Sequence, residues 1–374
     1  MARVAVFAGP SGGHLFPALA FAEVFREKHP ESLLWLVTGE RARKFSGEME
    51  NGVFNFVIYL PDFPFPSGIS LRTLRFLLQF ARAFILSFRY LSTMKPDLCV
   101  GFGSYVAYPG LRIAAMKKIP VLIHEQNQVP GKATQWLVPH ADGVAVAFEE
   151  TLAELKPSVR AVVGLPIRSK LGRAALILKK PAAQPEFRVL IVGGSQGAHR
   201  LNKIVLESFS LLSSEEKKKI AVMHITGQAD FVAVTRDYQT MNIQAKTFPF
   251  FDRMHELYTN ADLAITRAGA NTLFELALFK VPAVVVPYPY AGAHQKENAE
   301  FFAKRGGVVM REESVLNSAW LLAQIRIFYA DLNLRTRMAE ALEKLSSPDA
   351  ALRLAEIAEK FLKTETTWQL STRT

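Results

Sequence analysis

In Val4-Ala5-Val6-Phe7-Ala8-Gly9-Pro10-Ser11-Gly12-Gly13-His14 an apolar run stops at a glycine-rich turn, and sequence suited to a helix follows. About half the chain later, Val189-Leu190-Ile191-Val192-Gly193-Gly194-Ser195-Gln196-Gly197-Ala198 does the same. A short unbroken apolar run reads as a parallel strand buried on both faces, and the turn after it as the start of a helix. Glycines let the backbone approach a ligand closely, and the N–H groups of a helix start favour anions. Two such units predict two nucleotide-binding-type domains facing each other, with a ligand in the cleft between them.

Composition supports this reading. The 374 residues are ample for two domains, and an apolar content of 49% can fill two cores. The single cysteine, Cys99, excludes an intramolecular disulfide and a zinc cluster built on thiolates. The N-terminus enters a strand pattern without a charged and then apolar leader, so the expected compartment is the cytoplasm. The net charge of +11 points to phosphorylated ligands, anionic membrane or nucleic acid. Residues 1–164 hold 17 Lys+Arg against 13 Asp+Glu, and the remainder 28 against 21, so neither half is a distinctly basic domain. No Lys/Arg block is interleaved with aromatics, and no nucleic-acid partner is expected.

Strand-like runs alternate with longer helical stretches. Strands are expected near 4–8, 33–37, 54–59, 98–101, 121–123, 143–146 and 161–163, then near 189–192, 221–226, 245–248, 263–266, 283–287 and 307–310. This alternation predicts open parallel sheets covered on both faces. Gly164-Leu165-Pro166 reads as a hinge, 179–186 as an exposed linker, and 348–363 as the last helix.

Neither glycine turn is a G-x-G-x-x-G, and no G-x-x-x-x-G-K-[ST] is present, so the dinucleotide and P-loop fingerprints are absent. His124-Glu125-Gln126-Asn127 places four polar side chains at a strand end, where open α/β sheets put their ligand contacts. In Arg267-Ala268-Gly269-Ala270-Asn271-Thr272-Leu273-Phe274-Glu275, Thr272-x-x-Glu275 fits a helix capping box. It fits equally a turn that meets phosphate, with Glu275 accepting from the hydroxyls of a ribose. Between Phe63 and Pro96 there is no acidic residue, while Arg72, Arg75, Gln79, Arg82 and Arg89 fall on one helical stripe flanked by apolar residues such as Leu78. Four arginines argue against a spanning helix. With Phe63 and Phe65 beside it, this segment is expected to dock on an anionic lipid surface.

The chain resembles the MurG family, bacterial undecaprenyl-diphospho-muramoylpentapeptide N-acetylglucosaminyltransferases. The resemblance rests on seven segments in the family's order. They are Gly12-Gly13-His14-x-x-Pro17-Ala18-Leu19-Ala20, Gly101-Phe102-Gly103-Ser104-Tyr105, His124-Glu125-Gln126-Asn127, Gly164-x-Pro166-x-Arg168, Gly193-Gly194-Ser195-Gln196-Gly197-Ala198, Arg267-x-Gly269-Ala270-x-Thr272-x-x-Glu275 and His294-Gln295-x-x-Asn298-Ala299. They span nearly the whole chain. The resemblance implies an α/β GT-B fold of two Rossmann-like parallel-sheet domains facing a central cleft. Residues 1–164 would form the acceptor- and membrane-binding domain, with a C-terminal helix, about 346–374, packed back on it. Residues 165–345 would bind the UDP-sugar.

The implied reaction moves N-acetylglucosamine from UDP-GlcNAc to the 4-hydroxyl of the muramic acid in lipid I, with inversion, giving lipid II. No metal or other cofactor is implied, and no Asp-x-Asp is present to hold a metal. His14 is the expected base, because imidazole titrates near working pH, with Glu125 as runner-up. The donor would meet Ser11, Gly12, Gly13, Asn127, Arg168, Ser195, Gln196, Phe251, Ala270, Asn271, Thr272, Glu275, His294 and Gln295. The acceptor would meet His14, Tyr105, His124 and Asn127. Phe63, Phe65, Arg72, Arg75, Leu78 and Arg82 would touch anionic lipids at the cytoplasmic face of the inner membrane, with other cell-wall synthesis proteins as further partners. Two departures stand out. Gly9-Pro10-Ser11 replaces the family's Gly-Gly-Thr, and Pro10 removes one N–H donor. Ala291-Gly292-Ala293 precedes His294, where the family tends to carry acidic residues. Competing readings are a GT-B transferase acting on a diacylglycerol, a nicotinamide-dependent oxidoreductase, and a catalytically dead membrane-bound scaffold. The missing dinucleotide fingerprint speaks against the second, and the presence of His14, Glu125, Ser195 and Glu275 against the third.

Overall fold

Each expected strand forms, in the expected order. The computed structural model describes residues 1–49, 52–62, 71–155, 159–177, 186–193, 198–289 and 294–362, without the side chains of Glu48, Leu71, Arg72 and Val159. The linker at 179–186 and the segment 63–70 therefore lie almost wholly outside the described residues. The chain divides into two compact units, Met1–Ser169 with Ser347–Thr374, and Lys170–Ser346. The division at Ser169 leaves Arg168 in the first unit.

In the first unit the strands are β1 (Arg3–Ala8), β2 (Leu33–Gly39), β3 (Phe56–Leu60), β4 (Leu98–Phe102), β5 (Val121–Glu125), β6 (Gly143–Val146) and β7 (Val159–Val162). They form one parallel sheet in the order β3-β2-β1-β4-β5-β6-β7. β1 is central, with Ala5 opposite both Trp35 and Cys99. Side chains alternate across it. Val4, Val6 and Ala8 enter a core with Leu15 and Leu19 of helix Gly12–Lys28 and with Leu354, Ala355 and Ala358 of helix Ala350–Leu362. Ala5 and Phe7 enter the opposite core with Leu91 of helix Leu71–Met94 and Leu111 of helix Tyr108–Met116. Each large side chain so buried contributes about 1.5–3 kcal/mol. Phe7 fits because residue 110 is glycine: a Cβ there would stand 2.1 Å from the Phe7 ring.

Helix Ala350–Leu362 is fixed by more than apolar contact. Glu359 pairs with Lys28 at 2.7 Å and with His29 at 3.1 Å. Lys28 first, and His29 after it, hold that carboxyl below the usual range. The outgoing chain at Gly164 meets the returning chain at Ser347. Gly164 has φ +84°, and a Cβ on it would lie 2.2 Å from the Ser347 Cβ. Only glycine suits both the backbone angle and the contact.

In the second unit the strands are β8 (Phe187–Val192), β9 (Ile220–Ile225), β10 (Gln244–Phe248), β11 (Leu263–Thr266), β12 (Ala283–Val285) and β13 (Val308–Met310). Their order is β10-β9-β8-β11-β12-β13, all parallel. This is the Rossmann order, with the switch point between β8 and β11. Val189 and Ile191 share a core with Leu201, Val205, Ile265, Val284, Leu321 and Phe328. β12 stops short of the expected 287, since Pro287 has no N–H to continue the ladder.

Candidate active site

In the first unit the order of strands reverses between β1 and β4, and the turns after β1, β4 and β5 meet at that edge. Ligands of open α/β sheets bind at such a switch point. Helix Gly12–Lys28 starts directly after the first turn, and the Ser11 carbonyl accepts from the His14 and Leu15 amides at 3.1 and 2.9 Å. Gly12 and Gly13 are thus the first helical residues, at the helix end that favours an anion. The Ser11 hydroxyl lies 2.9 Å from His14 Nδ1. A neutral ring donating from Nδ1 to Ser11 carries its lone pair on Nε2, the form a general base needs.

Two glycines make room for that imidazole. A Cβ on Gly9 would lie 3.0 Å from His14 Nδ1 and 2.5 Å from the Ser104 Cβ. A Cβ on Gly103 would lie 3.2 Å from His14 Cδ2 and 3.4 Å from Nε2. Gly103 and Ser104 are consecutive left-handed residues, with φ +73° and +79°. Ser104 is not a glycine, so this turn carries backbone strain of the kind found at functional sites. Gln126 Nε2 donates to the carbonyls of Phe102 and His124 at 3.1 and 3.2 Å, tying the turn after β5 to the end of β4.

The structure corrects two expectations here. His124 is 0% exposed, and its Nε2 donates to the Gly164 carbonyl at 2.9 Å. Burial pushes its pKa down to about 4, so the ring is neutral and pins the chain at Gly164. It is not placed to touch an acceptor. Glu125, also buried, has both carboxylate oxygens engaged. One accepts from the Asn127 backbone and side-chain nitrogens at 3.0 and 3.3 Å, the other from the Gly131 amide at 3.2 Å and the Thr134 hydroxyl. A carboxylate with four donors holds the start of helix Lys132–Leu137 and is not disposed to take a substrate proton. Asn127 and Tyr105 are half-buried at the same edge. Arg168 places its guanidinium 4.3 Å over the Phe16 ring, within the first unit.

In the second unit Gly193 follows β8, but Ser195 and Gln196 lie outside the described residues. Across the switch point, helix Ala270–Phe279 begins with Gly269 as its N-cap. Ala270, Asn271 and Thr272 are therefore its first turn, and Thr272 is a helical residue, not a cap. The capping-box reading of Thr272 and Glu275 fails because the helix starts three residues earlier. Glu275, half-buried one turn on, accepts from the Tyr258 hydroxyl at 2.8 Å. Gln295 Oε1 accepts from the Ala268 and Tyr288 amides at 3.1 and 3.0 Å and joins the turns after β11 and β12. His294 opens helix His294–Lys304. Phe251, after β10, packs on Phe248 with centroids 4.6 Å apart.

Sequence reasoning missed Glu313. It is buried after β13 and pairs with buried Arg267; Arg200, in the helix that follows the glycine turn, stands 3.5 Å from its other oxygen. Arg267 also donates to the Val286 carbonyl at 3.3 Å. One carboxylate thus joins Arg267, which follows β11, to the helix His199–Ser210 that comes after β8. Among the sequence signals only Arg267 pointed there.

Helix Leu71–Met94 buries Ala83, Ser87, Leu91 and Met94. Its other side exposes Leu74, Leu77, Leu78, Ile85 and Phe88, and Leu78 is 65% exposed. Arg75, Arg82 and Arg89 are exposed at seven-residue intervals beside them. Phe63, Phe65 and the Arg72 side chain are outside the described residues. Among those described, no helix is long and apolar enough to cross a membrane.

Residues 4–168 match the glycosyltransferase family 28 N-terminal domain and residues 188–354 its C-terminal domain. The chain is 34% identical over 369 residues to the UDP-N-acetylglucosamine–N-acetylmuramyl-(pentapeptide) pyrophosphoryl-undecaprenol N-acetylglucosamine transferase of Carboxydothermus hydrogenoformans, covering 96% of this chain and 97% of that relative. A Coxiella burnetii protein of the same name is 34% identical over 365 residues, covering 96% and 99%. The crystal structure of Acinetobacter baumannii MurG superposes with a TM-score of 0.75 at 28% identity, over 96% of this chain and 100% of that one. Two parallel-sheet units, each with a switch point in its strand order, and matches to both family domains along nearly the whole chain place it in glycosyltransferase family 28, among the GT-B transferases of the MurG type.

Proposed function

We propose that this chain moves N-acetylglucosamine from UDP-N-acetylglucosamine to the 4-hydroxyl of the muramyl sugar in N-acetylmuramyl-(pentapeptide) pyrophosphoryl-undecaprenol. The observation that carries the mechanism is the His14 imidazole, oriented by Ser11 and flanked by Gly9 and Gly103 at the first unit's switch point. The acceptor oxygen attacks the anomeric carbon, the bond to UDP breaks with inversion, and the hydroxyl proton passes to His14 Nε2. The second unit holds UDP: the helix start at Ala270–Thr272 takes the diphosphate, and Glu275 takes the ribose. Helix amides and the leaving diphosphate are complementary in charge, which is why no divalent metal is invoked. The test is transfer of labelled N-acetylglucosamine to a lipid-linked acceptor in the presence of EDTA. Full turnover is expected, and turnover restored only by added magnesium would overturn the metal-free reading.

Glu275 tests the donor half. Removing a charged hydrogen-bond acceptor costs roughly 1.5–3 kcal/mol. Glu275→Ala should therefore weaken UDP binding by about ten- to a hundredfold in calorimetry, with the helix still formed. Unchanged UDP affinity would leave Glu275 a structural role, such as its bond to Tyr258.

We further propose that the enzyme is peripheral, docking on the cytoplasmic leaflet through helix Leu71–Met94. The exposed leucines, Ile85 and Phe88 would enter the interface while the arginines meet anionic headgroups, each worth about 1 kcal/mol near the surface. Reversing Arg75, Arg82 and Arg89 to Glu should reduce co-sedimentation with phosphatidylglycerol vesicles by about a hundredfold or more. Equal binding of both proteins at low and high salt would remove this helix from the mechanism.

A further inference from the structure

A run of aromatic side chains links helix Leu71–Met94 to the turn that flanks His14. Phe80 and Phe84 of that helix pack on Tyr108, with centroids 6.1 and 6.3 Å apart. Tyr108 packs edge-on against Trp136 at 5.9 Å, and Trp136 packs on Tyr105 at 6.0 Å. Tyr105 stands two residues after Gly103, whose Cα faces the His14 ring. The topology explains the direction. The helix descends from the carboxyl edge of β3 to the start of β4, so its first half lies near the carboxyl edge of the sheet, where Tyr108 begins the next helix. Trp136 is 45% exposed, an unusual cost for the largest apolar side chain unless something covers it. Burial of Tyr105 raises the pKa of its hydroxyl, so the residue is a neutral wall with a polar tip.

Trp136 is also deliberately held. It sits on the short helix Lys132–Leu137, whose start is fixed by Glu125 through Gly131 and Thr134. Because the Glu125 carboxylate occupies that helix start, an anion there would be repelled by it. An anion would instead meet Lys132, which is exposed four residues before Trp136 and so on the same helical face. A cation beside an exposed indole, on a ledge leading from an apolar helix face, has the chemistry of a prenyl diphosphate: charge, then hydrocarbon.

We propose that Trp136, with Tyr105 and Tyr108, forms the subsite for the first isoprene units of the lipid-linked acceptor, with Lys132 beside its pyrophosphate. This rests on the acceptor named under Proposed function and adds which residues recognise its lipid part. A chain laid along the rings leaves the site toward helix Leu71–Met94, which Tyr108 contacts through Phe80 and Phe84. Glu125 is a positioning residue in this scheme: it acts through the helix that carries Trp136.

The test uses two soluble acceptors without vesicles, so that membrane docking plays no part: muramyl-pentapeptide pyrophosphate bearing either a four-isoprene chain or a methyl group. Wild type should show the lower KM for the prenyl acceptor. Trp136→Ala should raise that KM about tenfold and leave the methyl acceptor's KM, the KM for UDP-N-acetylglucosamine and kcat unchanged. Trp136→Phe should retain most of the wild-type preference. An unchanged prenyl KM in Trp136→Ala, or an equal rise for both acceptors, overturns the proposal. Failure of wild type to glycosylate either acceptor would instead overturn the proposed function, whatever Trp136 does.

Discussion

A His14→Ala enzyme is expected to lose about 10²- to 10⁴-fold in kcat, the usual span for removal of a general base. UDP affinity should stay within a factor of a few, because the diphosphate and ribose contacts are assigned to the other unit. The side chain is half-exposed and the helix begins through the Ser11 carbonyl, not through the imidazole, so the fold should persist. The pH profile separates base from scaffold. Wild-type kcat/KM should fall in acid as the ring is protonated and can no longer accept, and the variant should lack that limb. Ser11→Ala should give a smaller loss, since it removes only the group that orients Nδ1. Near-normal turnover in His14→Ala would rule out the role.

The second large effect is on stability. Glu313→Ala leaves Arg267 charged and buried with no carboxylate, and breaking one side of a buried ion pair costs about 3–5 kcal/mol. Arg200 loses its partner at the same time. Urea unfolding of the second unit should shift by that amount, followed by hydrogen exchange in β8 and β11, since one midpoint for a two-unit chain is not a two-state quantity. The KM for UDP-N-acetylglucosamine should rise as well, because Arg267 follows β11, just before the helix start assigned to the diphosphate. Glu313→Gln should retain part of the stability through hydrogen bonding. An unchanged exchange pattern in Glu313→Ala would show that the pair contributes nothing net.

The strands were legible because burial on both faces writes itself into sequence. Val189–Val192 is apolar without interruption, and no helix of a half-exposed kind would need that. The glycine turns were legible for a similar local reason. What failed was the assignment of polar residues whose partners are distant in the chain. His124 and Glu125 read as ligand contacts because they end a strand; their partners turn out to be Gly164, forty residues on, and the start of the next helix. Thr272 and Glu275 matched a capping pattern whose register was wrong by three residues. Tyr258 and Glu313 carry no local signal at all, since their significance lies in pairings seventeen and forty-six residues apart.

The helix that closes the first core, Ala350–Leu362, has a consequence for biosynthesis. Val4, Val6 and Phe25 belong to the same cluster as Leu354, Ala355 and Ala358, yet the entire second unit is translated between them. At about 5–20 residues per second, the nascent first unit waits roughly ten to forty seconds for its missing wall. The domain begun first is therefore finished last. During that interval the face of helix Gly12–Lys28 that will receive it is open to water, a natural site of engagement for chaperones, while the second unit can already be complete.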